Sequence, residues 1–145
     1  MKLVDSNVWI ALAVPDHAHN AAAQRWLVQQ TETHDIGFCR ATQTAFLQLL
    51  TTKAIRDEYG LNVTNAGAWE AYTEIYEDHR IAFMEEPAGI DVHWKRLAAR
   101  SSVSPQIWIG AYLAAFAIAG GHQMITFDKA FNQFEGLDVV VLSSS

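Results

Sequence analysis

Short apolar segments alternate with longer segments of helical periodicity along the whole chain, and this alternation limits the folds that it can adopt. Five segments have the length and apolar content of strands: residues 2–5, 35–38, 80–84, 124–127 and 137–142. The spacing of apolar residues predicts helices at 17–30, 41–51, 65–76, 91–99 and 105–119, and a helical turn at 8–14. Strands that alternate with helices predict an α/β fold, with helices packed on the faces of a parallel sheet.

The length and composition of the chain predict a single globular domain. It has 145 residues, of which 50% are hydrophobic and 18% are charged. We predict one domain over residues 1–142 and a frayed tail at 143–145. Cys39 is the single cysteine, so no internal disulfide can form, which fits a reducing compartment.

Neither apolar stretch of the sequence has the features of a membrane or export signal. Near the start, Asp5 and Asn7 interrupt the apolar residues, and no small-residue cleavage site follows. The apolar run at 107–118 is shorter than the roughly 20 residues that a helix needs to span a bilayer. We therefore predict a soluble, cytoplasmic protein that does not bind a membrane.

The charge balance is acidic: 16 acidic residues against 10 Lys and Arg give a net charge of −6. Nucleic-acid-binding domains are usually basic, so this balance argues against a broad electrostatic grip on RNA or DNA. It remains compatible with a local basic patch, or with an acidic cleft that holds divalent metal ions.

Acidic and hydroxyl residues follow two of the predicted strands. Asp5 ends the first strand, and Thr126 and Asp128 end the fourth. Ligands of parallel α/β sheets bind at the carboxyl ends of the strands, so these side chains are candidates for one site. Converging carboxylates repel each other unless a cation neutralises them, and hard oxygen ligands suit Mg²⁺ or Mn²⁺.

The spacing alone leaves a structural alternative open for each of these residues. Asp5 and Asp128 can also act as caps of the turns that follow them. Asn7 and Thr126 either hydrogen-bond a carboxylate ligand or a metal-bound water, or they only stabilise turns.

Four segments together resemble a known family. They are LVDSNVWIAL at 3–12, DHAHNAAAQRWL at 16–27, CRATQTAFLQLLT at 39–51 and AYLAAFAIAGGHQMITFDKAF at 111–131. In this order and spacing they resemble PIN domains, and more closely the VapC-type toxin ribonucleases of type II toxin–antitoxin (VapBC) systems. The resemblance covers nearly the whole chain.

The resemblance carries expectations about fold, activity and partners. It implies a three-layer α/β/α sandwich around a central, mainly parallel five-stranded sheet. It implies a toxin endoribonuclease that uses Mg²⁺ or Mn²⁺ to hydrolyse a structured RNA, such as transfer or ribosomal RNA. It also implies a cognate VapB-type antitoxin and a homodimer.

The acidic residues that the resemblance implies are only partly present. Asp5 matches the first acidic position and Asp128 the last, and both are expected as metal ligands and catalytic residues. An aspartate is expected 18 residues before the last one, where this chain has Gly110. Gln43, an isosteric neutral amide, stands at the expected acidic position of the second helix and is expected as a catalytic residue that supplies an oxygen ligand but no charge. Two carboxylates bind a dication less well than three, so we expect impaired activity.

Two questions stay open at this point. Gly110 is either a natural loss in a degenerate toxin or an inactivating substitution in a nuclease that harms its producer. The chain is either an impaired ribonuclease or a non-catalytic PIN-like module that binds an antitoxin or RNA. A phosphatase with Asp5 as nucleophile fits less well, because Asn7 stands where such enzymes carry a second aspartate.

Overall fold

The central sheet has five strands, and all of them are parallel. In the computed structural model, which describes residues 1–144, the strands are β1 (Lys2–Val4), β2 (Ile36–Phe38), β3 (Ile81–Phe83), β4 (Gln123–Thr126) and β5 (Val139–Val141). Their order across the sheet is β3-β2-β1-β4-β5, and each neighbouring pair runs parallel. The prediction of a mainly parallel five-stranded sheet is confirmed.

Within residues 1–144, seven α-helices connect the strands. They are α1 (Ser6–Ala13), α2 (Asn20–Val28), α3 (Arg40–Leu50), α4 (Lys53–Tyr59), α5 (Asn65–Tyr76), α6 (Ile90–Ala98) and α7 (Ile107–Gly120). All the predicted helices are present among residues 1–144, with ends shifted by a few residues. The proposed division into a domain and a tail stays a prediction, and Ser145 lies outside the described residues.

Three local features differ from the sequence prediction. Helix α1 begins directly after Asp5, without an intervening turn, because the Asp5 carboxylate caps it. Helix α4 was missed, since Ile55 is its single buried residue and gives no apolar periodicity. A short 3₁₀ helix at Lys129–Gln133 was also missed.

Two hydrophobic cores lie on opposite faces of the sheet. Successive strand residues point to opposite sides, so Val4 and Ile125 belong to one core and Leu3 and Met124 to the other. The first core contains side chains of α1, α2, α3 and α5, and the second contains those of α6 and α7. This arrangement is the predicted three-layer α/β/α sandwich.

Helix α7 contains the apolar run at 107–118 that the sequence analysis described. Most of its residues between Ala111 and Ala117 are buried. It ends at Gly121, whose φ of 67° lies in the left-handed region that glycine adopts without strain. Within residues 1–144, no helix is both long and apolar enough to cross a membrane.

Gly37 in the middle of β2 provides a test of how tightly the sheet is built. A Cβ atom at this position would lie 2.1 Å from the carbonyl oxygen of Ala82 on β3. Since backbone atoms would have to move, we expect Gly37→Ala to destabilise the protein by about 3 kcal/mol or more. Chemical denaturation measures this change. Gly110→Ala is the control, because its Cβ meets only Phe134, at 3.7 Å.

Candidate active site

Asp5 joins the central strand to the first helix at the carboxyl edge of the sheet. Its amide donates to the carbonyl of Ile125 at 2.9 Å, which ties it to β4. Its Oδ1 accepts a hydrogen bond from the amide of Ser6 at 2.8 Å, and its Oδ2 accepts one from Thr126 Oγ1 at 2.7 Å. The side chain is buried, so the carboxylate has one fixed orientation.

The hydroxyl of Thr126 connects three parts of this edge. While it donates to Asp5, its oxygen accepts from Asn7 Nδ2 at 3.2 Å and from the Asp128 amide at 3.0 Å. Asn7 Oδ1 in turn accepts from the amide of Phe127 at 3.2 Å. Asn7 and Thr126 therefore hold α1, β4 and the turn at Asp128 together, as hydrogen-bonding residues around the carboxylates.

A cavity of about 270 Å³, here called the site cavity, lies at this edge. Asp5, Gly110 and Asp128 all line it, although they are far apart in sequence. The other lining residues are Ser6, Ala41, Thr42, Ala45, Gln106, Ile109, Leu113 and Phe131. A Cβ at Gly110 would meet only Phe134, at 3.7 and 3.8 Å. A Cβ atom therefore fits at position 110 without a clash.

A larger cavity of about 360 Å³ lies elsewhere, between α1, α2 and α5. Two acidic residues, Glu74 and Asp78, line it. Asp78 is paired with Arg80 at 2.6 Å, and this pairing holds the pKa of Asp78 at about 2. A carboxylate that is already neutralised by an arginine is a poor metal ligand. The site cavity is the better candidate for chemistry.

Gln43 lies outside the set of residues that line the site cavity. It is buried on α3, and its Oε1 accepts a hydrogen bond of 2.6 Å from Arg40 Nη1. The structure thus brings Asp5, Gly110 and Asp128 together, whereas Gln43 contacts an arginine beside them.

Burial raises the pKa of the Asp5 carboxyl above its usual range, and repulsion from Asp128 acts in the same direction. The hydrogen bonds from Thr126 and Ser6 oppose this increase but do not cancel it. Ionised Asp5 therefore carries an unfavourable charge, which a nearby cation would stabilise.

The two carboxylates fit a hydrated dication. Mg²⁺ is commonly held by one or two carboxylates and keeps several of its waters, and Mn²⁺ has similar ligand preferences. Within residues 1–144, no group of three or more His, Cys, Asp or Glu residues is arranged to hold a metal ion. The two carboxylates among the lining residues suit a cation that keeps most of its waters.

Several residues of the site cavity were not singled out from the sequence. Gln106 lies four residues before Gly110, so the helical repeat places the two on one side of the chain, and this spacing was a usable signal. Ser6 directly follows Asp5. No sequence pattern marks Thr42 or Ile109, which reach the site cavity only through the packing of α3 and α7.

Comparisons with known proteins agree with this architecture. The PIN-domain family model matches residues 2–137. Ribonuclease VapC41 of Mycobacterium tuberculosis is 41% identical over 145 residues, which cover 99% of each chain.

Two solved structures show the same fold. VapBC2 from Rickettsia felis, bound to a DNA fragment from its promoter, matches with a TM-score of 0.72 at 10% identity over 98% of both chains. VapC20 of M. tuberculosis, a sarcin–ricin loop cleaving toxin, matches with a TM-score of 0.63 at 15% identity over 94% of this chain and 98% of that chain.

A carboxylate-lined cavity at the edge of this parallel sheet and the family match over residues 2–137 have one interpretation: the chain belongs to the PIN-domain family. Within that family it is a VapC-type toxin, because the identity with VapC41 extends over 99% of both chains.

The Thr126 hydroxyl can be tested by Thr126→Val, which keeps the shape of the side chain. The Asp5 carboxylate then loses a donor, and Asn7 and the Asp128 amide lose an acceptor. We expect a loss of about 1–3 kcal/mol in the free energy of unfolding, measured with urea. The control Thr73→Val removes an exposed hydroxyl on α5. Equal effects of the two substitutions would contradict the role of Thr126.

The repulsion between the two carboxylates predicts a pH effect. Because the native pKa of Asp5 is raised, its ionisation weakens the folded state as the pH rises from the unfolded value through the native pKa. Asp128→Asn should lower the pKa of Asp5 and shrink this loss of stability. NMR titration of the carboxyl carbon measures the pKa. Asp138→Asn, before β5, should leave it unchanged, and an Asp5 pKa indifferent to Asp128 would refute the coupling.

Proposed function

We propose that this chain is a toxin endoribonuclease of a type II toxin–antitoxin system that hydrolyses RNA phosphodiester bonds with Mg²⁺ or Mn²⁺, and that Gly110 impairs it. The observation that carries the proposal is the meeting of Asp5, Gly110 and Asp128 in one cavity. The names of relatives such as ribonuclease VapC41 support the reaction class.

In the proposed reaction, Asp5 and Asp128 would hold the cation at the carboxyl edge of the sheet. When bound, the cation supplies a water of lowered pKa and offsets the charge on the phosphodiester. Thr126 fixes the orientation of Asp5 through its 2.7 Å hydrogen bond. Leu113 and Phe131 are buried side chains that form an apolar wall of the site cavity, where they limit access of bulk water.

Gly110 lowers the negative charge that the site cavity offers to a cation. An aspartate here would add a third carboxylate among the residues that line the site cavity. Loss of even a residue that supports a ligand commonly costs roughly 10–100-fold in metal affinity or activity. We therefore expect the present chain to bind Mg²⁺ or Mn²⁺ weakly and to cut RNA slowly.

The proposed partners are a cognate VapB-type antitoxin, a transfer or ribosomal RNA substrate, and a second copy of the chain. Ile109 is 59% exposed on the wall of the site cavity, where it offers an apolar contact to an inhibiting segment. The exposed Trp69 on α5, together with Leu49 on α3, supports a dimer. The cytoplasm is the proposed compartment.

One alternative keeps the fold but removes the chemistry. A PIN-like module that binds an antitoxin or RNA without cutting it is favoured by Gly110 and by Gln43, which are both uncharged. The alternative and the leading proposal differ in what happens when a carboxylate is restored.

Restoring the carboxylate with Gly110→Asp tests the proposal. Because a Cβ atom fits at this position without a clash, the variant should fold normally and gain at least roughly 10–100-fold in metal-dependent cleavage. Cleavage of total transfer and ribosomal RNA in Mg²⁺ and Mn²⁺, against EDTA, measures the gain.

Gly110→Asn is the matched control, since it adds the same volume without charge. In the restored chain, Asp5→Asn should abolish the gain, because it removes a proposed ligand. If the Gly110→Asp variant binds no metal and stays inert with both ions, the non-catalytic module is the correct interpretation.

A further inference from the structure

Arg40, the first residue of α3, lies where a cation is electrostatically disfavoured. Helix N-termini carry partial positive charge and favour acidic residues. Arg40 nevertheless begins α3, and two neutral groups hold its side chain. Its guanidinium lies 4.7 Å from the ring centroid of Phe83, and its Nη1 donates to Gln43 Oε1 at 2.6 Å.

Within the described part of the chain, no acidic side chain forms an ion pair with Arg40. Arg80, by contrast, is paired with Asp78, and Lys2 with Asp35. An exposed guanidinium fixed by an amide and an aromatic ring keeps its full charge for an anion from outside.

Arg40 lies on a groove that continues from the site cavity. A second cavity of about 460 Å³, here called the side cavity, lies between α3 and α7. Ala41, Ala45 and Ile109 line both cavities, so the two adjoin. Arg40 and Thr44 line the side cavity but not the site cavity, and both provide polar groups there.

The charges along this groove match the needs of a bound RNA strand. One end holds Asp5 and Asp128, and a chain of net charge −6 repels phosphates in general. Among the lysines and arginines that the structure describes, Arg40 alone lines either cavity. Arginine binds phosphate through two parallel N–H bonds, so one correctly placed guanidinium gives both affinity and register.

We propose that Arg40 binds a phosphate of the RNA strand flanking the one presented to Asp5 and Asp128, and that Gln43 is the residue that positions it. This assignment rests on the proposed function. It also gives Gln43 a role away from the metal. A glutamate at 43 would pair with Arg40 and cancel its charge, whereas the neutral amide orients the guanidinium without cancelling it.

RNA binding without cleavage tests this assignment separately from catalysis. Affinity for a single-stranded RNA is measured in EDTA over a series of salt concentrations. Arg40→Ala should weaken binding about tenfold or more and reduce the salt slope by about 0.7. Gln43→Glu should have a similar effect on affinity and slope, because its carboxylate would pair with the Arg40 guanidinium. Arg40→Lys should recover only part of the affinity.

Arg25→Ala is the matched control, because it removes the same charge from an exposed position that lines neither cavity. If Arg25→Ala and Arg40→Ala weaken binding equally, the Arg40 site is wrong while RNA binding stands. If the unmodified chain binds no RNA, both this site and the proposed function fail. A glutamate-rich peptide that binds as tightly as the RNA would overturn the assignment to phosphate.

Discussion

The hydrogen bond between the Thr126 hydroxyl and the Asp5 carboxylate is the contact on which the active edge depends. It links the carboxyl ends of β1 and β4, which are neighbouring strands of the sheet. The same hydroxyl accepts from Asn7 and from the Asp128 amide, so helix, strand and acidic turn share one atom. A buried carboxylate keeps a single orientation only when its surroundings supply such donors.

The electrostatics of this edge follow from the same geometry. Burial and the neighbouring Asp128 both raise the pKa of Asp5, so the folded chain holds two carboxylates in an unfavourable pairing. Pairs of like charges of this kind are common at functional sites, because a bound cation stabilises them. Compared with an aspartate at this position, Gly110 reduces the repulsion among the carboxylates. In the proposed function it also reduces the affinity for that cation. In the proposed function, stability and activity therefore make opposite demands on position 110.

Gln43 shows how a neutral residue can orient a neighbouring charged side chain without neutralising it. From the sequence, Gln43 was interpreted as a weakened version of an acidic catalytic residue. In the structure its amide contacts Arg40, and the site cavity is lined by Ala41 and Thr42 of the same helix instead. One helical turn holds both a wall of the site cavity and a cation beside it, which agrees with a groove for a phosphate-bearing strand.

The sequence by itself determined the layers, since alternating strand and helix periodicity allows few other arrangements, and the apolar α7 had to be buried. It also pointed to Asp5 and Asp128, because residues that follow parallel strands meet at one edge of the sheet. Gly110 was singled out only through the resemblance to the family. It did not reveal α4, whose single buried residue leaves no periodic signal. Tertiary structure alone decided that Gly37 must lack a side chain and that Gln43 faces Arg40. Both depend on distances between separate elements, and local sequence patterns contain no information on those distances.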